Sequence, residues 1–323
     1  MSFSETINSD KFKWVFLGLK LIVVFVLIYY IFSIIDWNVF IANVSKLQYW
    51  AFLVCFAMFY LIIWVSSLRW QFILNSFDIK ISIKELIILN WKALFFSNFL
   101  PAVVGLEVVK YNYIRRQTGA PMAQIVNSIL IDRILAFTSL LIFVAVFSTP
   151  LIQQVANDFL KLEIYMLYGL GALVLAVLLI GAYIILKFTG KLETFFVFYN
   201  KIFRLGFKSI LAIFILNMAM LFFTVLNTVA CIKGMGENIV FWDGMVATPL
   251  VIVSEYFPFA INSLGIREGV GIFLFKELGY QVEIIAATFI IVRITGIIFS
   301  SFGGFIYLYE KFKFLHLKPK KKA

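Results

Sequence analysis

Long apolar runs separated by short polar stretches dominate the chain, and their lengths predict its elements. A helix needs about 20 mostly apolar residues to cross the hydrocarbon core of a bilayer. Six runs meet that requirement: 14–35, 48–67, 122–148, 164–186, 209–232 and 283–309. Two further segments, 85–109 and 244–280, are apolar but interrupted. The first holds Asn98, Pro101 and Gly105, and the second holds Pro249, Pro258, Asn262 and Gly265. Irregular backbone at membrane depth is tolerated only where it is buried in protein or lines a cavity. Both segments are therefore expected to be re-entrant or discontinuous helical hairpins. The predicted fold is an all-α polytopic membrane protein, with six full spans and two broken hairpins in a single integral membrane domain over 1–323.

Composition makes the membrane assignment firm. The chain is 63% hydrophobic and 14% charged, with 38 Phe, where a soluble domain is about half apolar and roughly a quarter charged. A cytosolic enzyme, a secreted disulfide scaffold and a nucleic-acid-binding domain are all excluded. The net charge of +11 would invite a polyanion partner in a soluble protein, but here the basic residues sit between apolar runs. The positive-inside rule accounts for them, and no nucleic-acid partner is expected. Lys11, Lys13, Arg69, Lys80, Lys84, Lys110, Arg115, Arg116 and the lysines of 311–322 fall on one side, with Lys187, Lys191, Lys201, Arg204 and Lys208. Only Lys46, Lys161 and Lys233 fall on the other. The prediction is a multi-pass protein of the cell membrane with both termini cytoplasmic and a polybasic tail over 310–323. Arg69 and Trp70, which follow the second run, read as interface anchors by the same rule.

Cys55 and Cys231 lie in apolar runs and read as small buried hydrophobes. A single histidine, His316, and two separated cysteines make no metal or haem site of a usual kind. Neither a phosphate loop nor a Rossmann fingerprint is present, so no cofactor and no metal is expected.

Sliding the sequence along itself by about 160 residues sets Gly105 on Gly265, Gly119 on Gly279 and Arg133 on Arg293. The order of elements agrees too: two spans, a broken hairpin, then a long span carrying the arginine. Three crossings per half is odd, which inserts the halves 14–148 and 164–309 in opposite senses. Inverted repeats with paired broken helices characterise transport folds, with the binding site near the midplane. Each arginine lies about 11 residues into its span, which at 1.5 Å per residue is about 16 Å deep, so the two are expected to meet near the bilayer centre.

A charge at such depth costs at least about 2.5–3.5 kcal/mol on insertion scales. The chain nevertheless places Asp132, Arg133, Glu255 and Arg293 there, with Arg267 and Glu268 after Gly265, and Glu107 and Lys110 after Gly105. Two readings fit. The charges pair internally and hold helices together, or they line a polar cavity that accepts an ionic headgroup. Asp132 and Arg133 point about 100° apart on a helix, so each needs a partner elsewhere. In the cavity reading, a helix restarting near Ile266 aims its positive dipole end inward. Arg133, Arg267 and Arg293 hold a phosphate, Glu107, Asp132, Glu255 and Glu268 orient those arginines or meet a cationic substituent, and Lys110, Asn98 and Arg69 complete the candidate substrate-binding set.

The run Asn98-Phe-Leu-Pro101-Ala-Val-Val-Gly105-Leu-Glu107-Val-Val-Lys110, with Arg115-Arg116-Gln-Thr-Gly119 and Ile131-Asp132-Arg133, resembles the lysylphosphatidylglycerol synthase transmembrane-region family of flippase-like membrane proteins. Phe257-Pro258-Phe-Ala-Ile-Asn262-Ser-Leu-Gly265-Ile-Arg267-Glu268-Gly269 is similar to that family's second signature, and Ser67, Arg69 and Trp70 fit its Ser-x-Arg-Trp element. Where the family often has Gly-Gly-Asp followed by Arg, this chain has Gly105-Leu106-Glu107 and Lys110, and the lysine gives up the bidentate fork of arginine. The resemblance implies a lipid-handling module, partnered by the membrane and by a phospholipid or lipid-linked substrate. It also points to a separately encoded lipid-modifying enzyme. Fused members carry a soluble aminoacyltransferase domain, for which the sequence after the last span leaves no room, so synthesis of lysylphosphatidylglycerol is not expected of this chain. The expected function is translocation of an anionic or aminoacylated phospholipid or a lipid-linked headgroup. The alternatives are a membrane-embedded transferase with Glu268 or Asp132 as base, and an ion-coupled small-solute carrier.

Overall fold

The computed structural model describes residues 29, 33, 35–98, 102–155, 206–256 and 265–317. Ten helices lie among them: α1 Trp37–Ser45, α2 Tyr49–Asn75, α3 Ile83–Ser97, α4 Ala102–Thr118, α5 Met122–Phe147, α6 Thr149–Val155, α7 Gly206–Gly234, α8 Phe241–Ser254, α9 Ile266–Glu277 and α10 Val282–Leu317. The fold is all-helical. Four of these helices, α2, α5, α7 and α10, are long and apolar enough to cross a membrane. The predicted spans 14–35 and 164–186 fall wholly or mostly outside the described residues.

Helix lengths separate the spans from the hairpins. At 1.5 Å per residue, the 27 residues of α2 reach about 40 Å, more than the roughly 30 Å of a hydrocarbon core. The 15 residues of α3 and 14 of α8 give only about 21–23 Å each. The 17 of α4 and 12 of α9 likewise fall short of a full crossing. Each broken segment is thus a pair of helices too short to span alone. A capping box sets the start of α3: the Ser82 hydroxyl accepts from the Glu85 N–H at 3.3 Å, and the Glu85 carboxylate accepts from the Ser82 N–H at 3.2 Å.

Several boundaries differ from the sequence reading. The run 48–67 does not end the second span, because α2 continues to Asn75 and carries Arg69 and Trp70 inside it, both buried. They are not interface anchors. Gly105 is not a break, since it lies within α4. Pro249 sits inside α8 without ending it. The last helix runs on to Leu317, past the predicted end at 309. Pro101, Pro258 and the lysines after Leu317 lie outside the described residues.

The most extensive helix contact joins α2 to α7. Small residues permit it: a side chain at Gly234 would overlap Ala51, and Cys55 and Cys231 are both fully buried. One apolar cluster gathers the end of α2, the loop after it, α3, α4 and the first half of α5 around Trp70, Leu86 and Ile125. The other gathers α7 to α10 and the second half of α5 around Val225, Phe275 and Phe289. Across the molecule, α3 is fastened to α10, where the Trp91 indole N–H donates to the Phe299 carbonyl at 2.8 Å.

Candidate functional site

A cavity of about 440 Å³ lies where the helices converge, with walls drawn from α2, α3, α4, α5, α7, α8, α9 and α10. Its charged lining is Arg69, Lys110, Asp132, Arg133, Glu255, Arg267 and Arg293. Asn98 at the end of α3 also lines it, and its side-chain amide donates to the Ser300 hydroxyl at 2.7 Å. Glu107 and Glu268 stand behind this surface, each bound to a lining arginine. The cavity therefore collects residues spread over more than 200 positions of sequence, including Arg133 and Arg293 from the two long arginine-bearing spans.

The charges are ordered in pairs. Arg69 meets Asp132 in a bidentate bridge, Nε to Oδ1 at 2.8 Å and Nη2 to Oδ2 at 2.9 Å, with both side chains buried. This pairing explains how Arg69 is tolerated within a helix. It is extended by Asn217 on α7, whose side-chain oxygen accepts from Arg69 Nη1 and whose amide donates to the Ser139 hydroxyl at 3.0 Å. The network ties α2, α5 and α7 together at one end of the cavity. Arg133 Nε donates to Glu107 Oε1 at 2.9 Å, joining α5 to α4. Asp132 and Arg133 thus turn to different partners, as the helical geometry requires.

Arg293 and Glu268, on α10 and α9, form a more enclosed pair. Arg293 Nε donates to Glu268 Oε1 at 2.7 Å, and the other oxygen of Glu268 accepts from the Gly265 N–H at 2.8 Å. Gly265 has φ of +81° at the N-cap of α9, a left-handed conformation suited to glycine. The carboxylate of Glu268 already lies at the start of this helix, so its dipole end does not face the cavity uncompensated. Arg267 stands 3.2 Å from Glu255, with its guanidinium 5.9 Å from the Phe289 ring centre.

Lys110 differs from the arginines. It is 4% exposed, and its ammonium lies over the Trp70 ring at 4.6 Å from the centroid. No carboxylate pairs with it among the described residues. The sequence places Lys110 and Arg69 both among the charges flanking the spans and among the candidate binding residues; the structure buries both within helices, in the cavity wall.

Sequence reasoning passed over several polar residues that complete the walls. Asn90, Ser97, Thr224 and Asn227 line the cavity, and Asn217 holds Arg69 from behind. Each is a polar residue within an apolar run, the signal that would have found them. Lys92, 4% exposed on α3, was also missed; it pairs with Glu310 near the end of α10.

Residues 17–304 match the family model described as the lysylphosphatidylglycerol synthase TM region. No curated protein matches the chain. The match spans most of the sequence, and the chain belongs to this family of membrane proteins linked to lipid modification or transport.

Proposed function

Starting from membership of the lysylphosphatidylglycerol synthase TM region family, we propose that this protein is a flippase-like translocase. Its substrate is an anionic or aminoacylated phospholipid or a lipid-linked headgroup. The headgroup passes through the charged cavity while the acyl or prenyl chains remain in the bilayer. A separately encoded lipid-modifying enzyme supplies the substrate, and both termini are cytoplasmic. The observation that carries this reading is a single cavity lined by five cationic side chains from helices that cross or enter an apolar layer.

Further features support it. At a shift of 160 positions Met122, the start of α5, falls on Val282, the start of α10, and Gly119 falls on Gly279. Both glycines have positive φ, +66° and +90°, just after α4 and α9. The start of α2 at Tyr49 likewise falls near the start of α7 at Gly206. This correspondence favours a repeat of the transporter kind. The Arg133 side chain is 48% exposed, and Leu130 and Ile134 beside it on α5 are exposed and apolar. A cavity wall continuous with a lipid-facing stripe suits a substrate that keeps its tails outside, and it weighs against a small-solute carrier. The transferase alternative needs a carboxylate free to take a proton. Glu268 and Asp132 are both engaged with arginines.

Purified protein in vesicles containing fluorescent phosphatidylglycerol tests the proposal, with an external quencher reporting the leaflet. Wild type is expected to move lipid faster than protein-free vesicles, and Arg133→Ala/Arg293→Ala to fall to the protein-free rate. Equal movement by wild type and the double variant would overturn the mechanism.

A further inference from the structure

We propose that Lys110 is the residue that holds the anion in this cavity, and that it selects a headgroup with one net negative charge at a phosphodiester. The proposal rests on the translocase reading for its biological setting but on separate observations for its chemistry. Each arginine in the wall already has a carboxylate: Arg69 with Asp132, Arg133 with Glu107, Arg267 with Glu255 and Arg293 with Glu268. Lys110 has none among the described residues. It lines the cavity and is nine-tenths buried.

An ammonium in that position is costly to hold. The Trp70 face compensates part of the charge through its quadrupole, but it cannot neutralise it or satisfy three N–H donors. An anionic phosphate neutralises the charge and accepts from one or two of those donors. Lys110 is only 4% exposed, so an arriving anion meets an ammonium that the protein already screens from most of the cavity water, where attraction is stronger than in bulk solvent. The arginines offer less net attraction, because the charge of each is already countered by a carboxylate.

Charge counting then sets the class of substrate. Four ion pairs and one unpaired lysine leave the cavity with one positive charge in excess among the described residues. A monoanionic phosphodiester neutralises it. A zwitterionic headgroup leaves it uncompensated, and an aminoacylated headgroup with added ammonium groups brings like charge into the site. Of the two classes of phospholipid in the function proposed above, the geometry points to the anionic one. The cavity volume, about 440 Å³, lies within the roughly 300–1,000 Å³ of small-molecule sites. Lysine is the fitting residue here, since a point charge with rotatable donors can follow a phosphodiester through successive positions, whereas a bidentate fork fixes it.

Thermal unfolding of the full-length protein in detergent reads binding without requiring transport. The probes are phosphatidylglycerol, phosphatidylcholine, lysylphosphatidylglycerol and inorganic phosphate, titrated against wild type, Lys110→Met, Lys110→Arg and the exposed-lysine control Lys208→Met. Half-saturation by phosphatidylglycerol is expected to rise about tenfold or more in Lys110→Met, the scale of one charge-assisted hydrogen bond. Lys110→Arg should stay nearer wild type, Lys208→Met should match it, and phosphatidylcholine should bind weakly to all. Methionine keeps the volume and removes the unpaired charge, so Lys110→Met should unfold no earlier than wild type without lipid.

Equal phosphatidylglycerol affinity in wild type and Lys110→Met would overturn the proposal. So would tighter binding of lysylphosphatidylglycerol than of phosphatidylglycerol by wild type. A shift by inorganic phosphate equal to that by lipid would overturn the lipid assignment and give Lys110 to a soluble anion. Lys110-dependent binding without lipid movement in vesicles sinks the translocase and leaves the anion site standing; lipid movement with Lys110-independent binding does the reverse.

Discussion

Arg133 on α5 and Arg293 on α10 stand 160 positions apart in sequence, and each takes a glutamate from the helix before it. The Arg293–Glu268 pair is closed in, with side chains 19% and 8% exposed, and Glu268 also binds the backbone that begins α9. Arg133 is 48% exposed, and Glu107 lies inside a helix rather than at its start. Packing follows the same division. Gly271 on α9 lets the Phe289 ring of α10 approach so closely that a Cβ would overlap it. The position 160 residues earlier is Tyr111, a large and partly exposed side chain. One arginine pair is built into a tight helix junction, while the other is more exposed, with a lysine three residues beyond its glutamate that has no carboxylate partner among the described residues. Similar residues at similar sequence positions thus sit in a closed helix junction in one case and at a more exposed surface in the other.

Breaking the two pairs separately sharpens this contrast. The largest effect is expected from Glu268→Ala, which takes away the carboxylate that Arg293 binds and removes the contact to Gly265. Loss of one partner from a buried pair costs about 3–5 kcal/mol, so the variant should unfold well below wild type in detergent and express poorly. Glu107→Ala should be milder by a wide margin. Its partner is half exposed, and pairs of that kind contribute about 0–1 kcal/mol. Near-wild-type thermal stability with altered lipid movement is the expected result. Equal destabilisation by the two substitutions, read by thermal unfolding side by side, would contradict the contrast between the two pairs.

Much of this architecture could be read from the pattern of apolar residues. The apolar pattern sets the start of α5 at its observed residue and that of α10 within one, because flanking turns with glycine mark them sharply. The hairpins were legible because proline, glycine and asparagine cluster where a continuous span would exclude them. Arg69 was harder. Its neighbours Ser66 and Ser67 look like the end of a span, and its partner Asp132 is 63 residues away, so only tertiary pairing shows that the helix continues. Lys92 was invisible for the same reason, its Glu310 lying 218 residues on. Gly105 misled in the opposite direction, since glycine disfavours a helix interior by only about 1 kcal/mol and packing can override it. The membership of Lys110 in the cavity wall was foreseeable from its place after Glu107. Its lack of a carboxylate among the described residues was not, because pairing is decided by the arrangement of eight helices.

Everything proposed depends on the cavity being wet while its surroundings are lipid, and cysteine accessibility in membranes measures that directly. In a background with Cys55 and Cys231 replaced by alanine, single cysteines are placed at Thr224 and Leu94 in the cavity wall and at Leu141 on the outward face of α5. A charged, membrane-impermeant thiol reagent should label Thr224→Cys and Leu94→Cys and spare Leu141→Cys. Labelling of none of the three, or of Leu141→Cys alone, would contradict a hydrated charged cavity between the halves.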